Sequence, residues 1–174
     1  SKYIILLIMS DKLQVLNKNE LNKKVVRLAW EVYEKNVEEK ELMIVGIKAR
    51  GVELAKRLSL AIQSISNIKI TNLDFTIDKR DPLNSDIISS KDIEDCNGKV
   101  VILVDDVLNS GRTLSYAAKK LLSVPLKKLS VLVMVDRNHN SYPIKSDHVG
   151  LLLSTTLQEH VNVIFGQNEG VYLS

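Results

Sequence analysis

Three short, nearly continuous apolar runs constrain this chain most: LMIVGIK at 42–48, KVVILV at 99–104 and SVLVMV at 130–135. A strand with one wet face alternates apolar and polar residues, so a run without alternation belongs to a strand covered on both faces. Between the runs the period becomes helical. Leu21, Val25, Leu28, Ala29, Val32, Tyr33 and Val37 recur at three- and four-residue spacing and predict an amphipathic helix over 19–39. Val52 to Ile65 and Thr113 to Ser123 read as two more helices. IKITNLDFTID at 68–78 predicts a strand rich in β-branched residues, and HVGLLLS (148–154) and VNVIF (161–165) predict two near the end. Strands alternating with helices imply an α/β fold, with a central, mainly parallel sheet flanked by helices. The length of 174 residues suits a single domain over 1–174.

Residues 79–97, KRDPLNSDIISSKDIEDCN, break every period, and an aperiodic stretch of that length predicts a mobile lid. At the start, Tyr3 to Met9 is apolar but too short to span a bilayer. It reads either as an extension within 1–11, with Met9 a candidate start, or as an edge strand or packed arm. Composition narrows the class. With 45% hydrophobic and 26% charged residues the chain is expected to be ordered, and a net charge of +3 is too mild to argue for nucleic-acid binding by itself. The single cysteine, Cys96, excludes an internal disulfide and fits a cytoplasmic protein away from membranes. His139, His148 and His160 lack metal-ligand spacing and read as surface or satisfied residues.

The chemistry concentrates in VVILVDDVLNSGRTL at 100–114. In parallel sheets, ligands collect at the carboxyl ends of the strands. Here a buried strand delivers Asp105 and Asp106 to its end, and Asn109, Ser110, Gly111, Arg112 and Thr113 follow before a helix. Gly111 permits close backbone approach, and the helix N-terminus presents unpaired amides to an anion. Two carboxylates repel that anion; they suit hydroxyls, water-bound magnesium or developing positive charge. A phosphorylated sugar meets all these requirements. Lys48, Ala49, Arg50 and Gly51, between a strand and a helix, form a second candidate loop. A magnesium pocket of the receiver-domain kind is the simpler use of an acidic pair, but it does not include an N-S-G-R-T loop.

VILVDDVLNSGRTL resembles the phosphoribosyl-pyrophosphate signature of type I phosphoribosyltransferases, most closely the pyrimidine-operon regulator and uracil phosphoribosyltransferase (PyrR) group. IVGIKARGVELAKRL is similar to that group's pyrophosphate loop and following helix, VLVMVDRNHNSYPIKSDHVG to the segment leading to its base-binding hood, and STTLQEHVNV to its C-terminal strand and loop. NKKVVRLAWEVYEKN resembles its first helix, so the likeness runs from about 12 to 165. The resemblance implies the type I phosphoribosyltransferase fold with a small hood. It implies that Asp105 and Asp106 face the ribose hydroxyls and water-bound Mg2+, and that Asn109 to Thr113 hold the 5′-phosphate. Lys48 to Gly51 would hold pyrophosphate around an unusual peptide bond. Lys79, Arg80 and Asp81 would open the lid, with Arg80 among the catalytic residues. The base would meet Val135, Asp136, Arg137 and the Ser154–Thr156 loop, with Thr155 at its centre.

The implied activity is transfer of ribose 5-phosphate from phosphoribosyl pyrophosphate to a nucleobase, uracil first. Leu151-Leu152-Leu153-Ser154 replaces the group's usual Lys-Asn-Ile-Pro, which keeps a purine base as an alternative. The other alternative is a nucleotide-sensing, RNA-binding regulator of pyrimidine genes. On the first helix Lys23 and Arg27 share a face, but Val26 and Trp30 stand where polar residues are expected. An apolar patch rimmed by charge suits contact with another subunit. The expectation is therefore a homodimer or larger homo-oligomer without specific RNA binding.

Overall fold

The computed structural model describes residues 12–174; the N-terminal extension expected over 1–11 lies outside the described residues. Among the described residues, nine strands and three α-helices follow in the order β1 (Leu13–Leu16), α1 (Lys18–Lys35), β2 (Glu41–Ile47), α2 (Arg50–Ile65), β3 (Lys69–Thr76), β4 (Ile88–Ser89), β5 (Val100–Leu108), α3 (Arg112–Leu121), β6 (Lys128–Asp136), β7 (His148–Leu152), β8 (Val161–Ile164) and β9 (Gly170–Leu173). Six strands form the central sheet in the order β4-β3-β2-β5-β6-β7, all parallel except β4. The α/β expectation holds.

Residues along β2 and β5 alternate between two apolar layers, which is why their sequences show no polar face. Leu42, Ile44, Ile102 and Val104 meet α1 and α2 on one side; Met43, Val45, Val101 and Leu103 meet α3 on the other. β2 leads through α2 to β3 on one flank, whereas β5 leads to β6 and β7 on the other. The strand order therefore reverses between β2 and β5, and a crevice opens at their carboxyl ends.

The hood is a separate antiparallel sheet, β1-β9-β8. β1 and β9 went unread in the sequence: each has four residues, too few for a period, and they pair from opposite ends of the chain, with Leu13 opposite Leu173. An Arg57–Glu169 ion pair ties the hood to α2, and the Arg57 guanidinium stacks 4.7 Å above the Phe165 ring.

Two expected boundaries move. α1 ends at Lys35 rather than 39, because the buried Asn36 turns back on the helix; its amide donates to Tyr33 O and its side chain to Val32 O. The aperiodic stretch 79–97 is not one free loop. Ile88 and Ser89 pair with Thr76 and Phe75, and Ile93–Cys96 forms a 3-10 turn anchored by the buried Cys96, which leaves 77–87 as the projecting part. A two-residue strand has no readable alternation.

Candidate functional site

The two carboxylates are built into β5 rather than placed after it. β5 leaves β2 at Val104 but continues along β6, with Asp105 opposite Val133 and Leu108 opposite Asp136. The acids thus stand on a rigid strand where one neighbour has peeled away to form the crevice. Asp105 is 2% exposed and Asp106 8%. The Asp105 carboxylate accepts the Asp106 amide at 2.9 Å and lies 3.4 Å from Lys79 Nζ. Burial, then the neighbouring Asp106 charge, pushes the Asp105 carboxyl up to about 8, which Lys79 only partly opposes. The pair is short of positive charge.

Beyond Leu108 the chain turns through Asn109 and Ser110 into Gly111, whose φ of +85° is left-handed and starts α3. No side chain caps α3 at Gly111, nor α2 at Ala49, whereas α1, remote from the crevice, has a full capping box between Asn17 and Glu20. First-turn amides have no intrahelical partner, so both uncapped ends offer donors to an anion. Ser110 Oγ accepts the Arg112 amide at 3.2 Å, and the Arg112 Nε is buried without a partner. A cavity of about 190 Å³ sits here, lined by Lys79, Asp105, Asp106, the Asn109–Thr113 turn and Val161. Val161, from β8 of the hood, was missed in the sequence; only the fold of the hood brings it over the cavity.

The Lys48–Gly51 loop flanks the cavity and carries a cis peptide between Lys48 and Ala49. A Cβ on Gly51 would stand 2.8 Å from Val104 O and 3.1 Å from both Asp105 Cα and Oδ1, so glycine lets this loop lie against the acidic pair. Arg50 reaches toward the hood, with Nη1 3.5 Å from Asn162 Oδ1. Of the residues expected to open a lid, Lys79 joins the cavity lining, while Arg80 is exposed outside it and Asp81 binds the Asn84 side chain at 3.1 Å.

The four residues expected at the base lie outside that lining. Val135 is fully buried in the core. Asp136 is occupied by the Asn138 amide and Ser146 Oγ, both at 2.8 Å. Arg137 is 8% exposed and donates to Asn109 and to the Thr155–Glu159 segment, with Thr155 Oγ1 accepting from its Nε at 2.8 Å. His148 is buried beside Glu31, and His139 Nε2 meets Thr155 O.

Among the described residues no group of three or more His, Cys, Asp or Glu could hold a metal ion. The donor set nevertheless fits magnesium, which keeps several waters and needs only one or two carboxylates beside substrate phosphates. Asp105 and Asp106 are such a pair, and a cation beside them would relieve the burial and repulsion that raise the Asp105 carboxyl.

The sequence matches the phosphoribosyl transferase domain family over residues 12–166. It is 34% identical over 171 residues to "Bifunctional protein PyrR" of Thermoanaerobacter sp. (strain X514), covering 94% of this chain and 96% of that one. The protein of the same name from Alkaliphilus metalliredigens is 37% identical over 163 residues, covering 89% of each chain. Among solved structures, a hypoxanthine-guanine phosphoribosyltransferase from Bacillus anthracis is similar with a TM-score of 0.69 at 20% identity, over 80% of this chain and 81% of that one. A hypoxanthine phosphoribosyltransferase of Trypanosoma cruzi gives a TM-score of 0.72 at 13% identity, over 82% of each chain. At those identities the likeness to the solved structures is one of fold.

Proposed function

The chain belongs to the phosphoribosyl transferase domain family, and from that premise we propose that it transfers ribose 5-phosphate from phosphoribosyl pyrophosphate to uracil, giving UMP and pyrophosphate. The observation that carries this reading is the pairing of two buried, adjacent carboxylates with an uncapped helix end in one cavity. Acids and anion loop are then complementary to the two ends of one ligand.

The 5′-phosphate would sit at the start of α3, on first-turn amides, the Ser110 and Thr113 hydroxyls and the otherwise unpartnered Arg112. That places the ribose over Asp105 and Asp106. Their carboxylates would accept its hydroxyls and stabilise positive charge as the bond from the anomeric carbon to pyrophosphate lengthens. The α2 amides, with Lys48 and Arg50, would receive the departing pyrophosphate. Lys79, beside Asp105, would bring the lid inward and exclude water. Asp105 and Asp106 would hold magnesium through water, and the ion would supply charge neutralisation to pyrophosphate. The base would lie under the hood, near the Ser154–Thr156 loop.

The resemblance to the uracil-transferring group supports uracil, and a purine is the alternative base. Pyrophosphate release, assayed with phosphoribosyl pyrophosphate, magnesium and a panel of bases, tests both. We expect uracil to lead by ~10-fold or more in kcat/KM, since lost polar contacts to a base leave buried groups unpaired. A purine lead overturns the base assignment, and no release with any base overturns the enzyme.

Specific RNA recognition has less support. Arg27 is consumed by Glu31 and by the carbonyls of Val149 and Gly150, each 2.8 Å from its Nη2, where it covers the edge strand β7. Val26 and Trp30 are 50% and 45% exposed beside it. We propose that this α1 face is buried between copies of the chain in a dimer or larger homo-oligomer.

A further inference from the structure

Arg137 is a nearly buried cation with an unusual set of partners. Its Nε donates to Thr155 Oγ1 at 2.8 Å, Nη1 to Asn109 Oδ1 at 2.9 Å, and Nη2 to the carbonyls of Thr156 at 2.9 Å and Glu159 at 2.6 Å. Four of the five N–H groups of a guanidinium are therefore engaged. The acceptors come from two places: Asn109 follows β5, and the other three belong to the segment that joins β7 to the hood strand β8. That segment is closed on itself by the Glu159 carboxylate, which accepts the Thr156 amide. At the root, the Arg137 amide donates to Leu108 O at 3.1 Å, fastening the ends of β5 and β6.

Every acceptor is a neutral oxygen, and none of the ion pairs among the described residues includes Arg137. The Glu159 carboxyl is held below its usual range, first by the Thr156 amide and in lesser part by the Arg137 charge, so the guanidinium has one anion in reach. A second anion in the adjoining loop stabilises a nearly buried cation further. The adjoining loop is the one that would carry a phosphate. We propose that Arg137 is a positioning residue which couples phosphate occupancy of the Asn109–Thr113 loop to the seating of the 154–159 segment. The inference rests on the transferase reading and assigns Arg137 a different task from direct contact with the base. Phosphate adds a counter-charge and steadies Asn109, which already holds the guanidinium, and the guanidinium holds the segment that would face the base. Sugar phosphate binding thereby steadies the segment on the side of the base.

Amide hydrogen exchange across 154–160 reads this coupling, with ribose 5-phosphate as the probe. In the wild type the sugar phosphate should slow exchange there by about tenfold, a typical coupling between groups of one hydrogen-bond network. Arg137→Lys keeps the charge but cannot reach both loops, and Thr155→Val removes one acceptor with little change of shape. In both variants the slowing should be lost while ribose 5-phosphate binds no more than about tenfold more weakly, the reciprocal of the lost coupling, and KM for the base should rise by about tenfold more than KM for phosphoribosyl pyrophosphate. Should Arg137→Lys fail to fold, Thr155→Val carries the test alone. Retained slowing in a folded variant, or an unchanged KM for the base, overturns the proposal. So does a loss of ribose 5-phosphate affinity well beyond about tenfold in Thr155→Val. A wild type that binds ribose 5-phosphate without slowing overturns the coupling alone, whereas one that does not bind it overturns the transferase reading itself.

Discussion

Asp105 sets the electrostatics of the site at the scale of single residues. Its carboxyl ordinarily titrates near 3.8, and burial beside Asp106 raises it to about 8 in the folded chain. The folded state thus retains a proton that the unfolded chain releases, so the stabilisation is complete below pH 3.8 and is lost as pH rises through about 8. The unliganded protein should therefore melt at progressively lower temperature as pH climbs from 5 to 8. Asp105→Asn should flatten that slope in calorimetry and raise stability at pH 8 by about 1 kcal/mol or more. The same substitution, alone or with Asp106→Asn, should cost ~10²-fold or more in turnover, because charge rather than shape is removed. A variant as active as the wild type would remove the acids from the mechanism. Gly51 is the second critical residue. Because a Cβ there meets backbone at 2.8 Å, Gly51→Ala must push the Lys48–Gly51 loop off β5. It should destabilise the fold by ~1–3 kcal/mol and raise KM for phosphoribosyl pyrophosphate.

Two connections decide how the elements assemble around the site. The β3–β4 hairpin holds its stem by the pairing of Phe75 with Ser89 and the bond from the Ser90 amide to Asp74 O, at 2.9 Å. Only 77–87 projects, so closure should involve that half alone. Saturating phosphoribosyl pyrophosphate with magnesium should slow tryptic cleavage after Lys79 and Arg80 and leave cleavage after Lys91 unchanged; equal rates at all three would rule out a lid. The other connection joins α2 to the hood. Glu169 is 8% exposed, with one carboxylate oxygen on Arg57 and the other buried without a partner. Its carboxyl lies below the usual range, first through the Arg57 hydrogen bond. Arg57→Met would strand that charge, so unfolding in urea should show a loss of ~3 kcal/mol, the scale for breaking a buried pair. A loss near zero would mean that the hood docks on apolar contacts alone.

On the scale of the whole molecule, α1 lies on the central sheet with its outer face bare. Val26 and Trp30 are about half exposed, and the Trp30 ring stands edge-on to Tyr33 at 6.0 Å. Sedimentation should give a dimer or larger species that Trp30→Lys dissociates; a wild-type monomer at micromolar concentration contradicts the assembly. With Arg27 spent on β7 and a net charge of only +3, pyrimidine-leader RNA should bind weakly, without sequence selectivity and with a shallow salt dependence. Nanomolar, selective binding at physiological salt would restore the regulatory reading.

The sequence alone determined the features whose physics is local. A strand covered on both faces must lack a polar period, so β2, β5 and β6 were legible, and with the helices between them a parallel sheet followed. The anion loop was legible because Asn109 to Thr113 are contiguous and one backbone turn does their work. Tertiary structure decided whatever depends on residues far apart in the chain. The hood edge joins Leu13 to Leu173, Val161 closes the cavity, and Gly51 must be glycine because β5 runs beneath it. Arg27 and Arg137 have the same appearance in sequence as any other polar-face arginine. Their roles follow from acceptors at Val149, Asn109 and Thr155, which only the packed sheet brings within hydrogen-bonding distance.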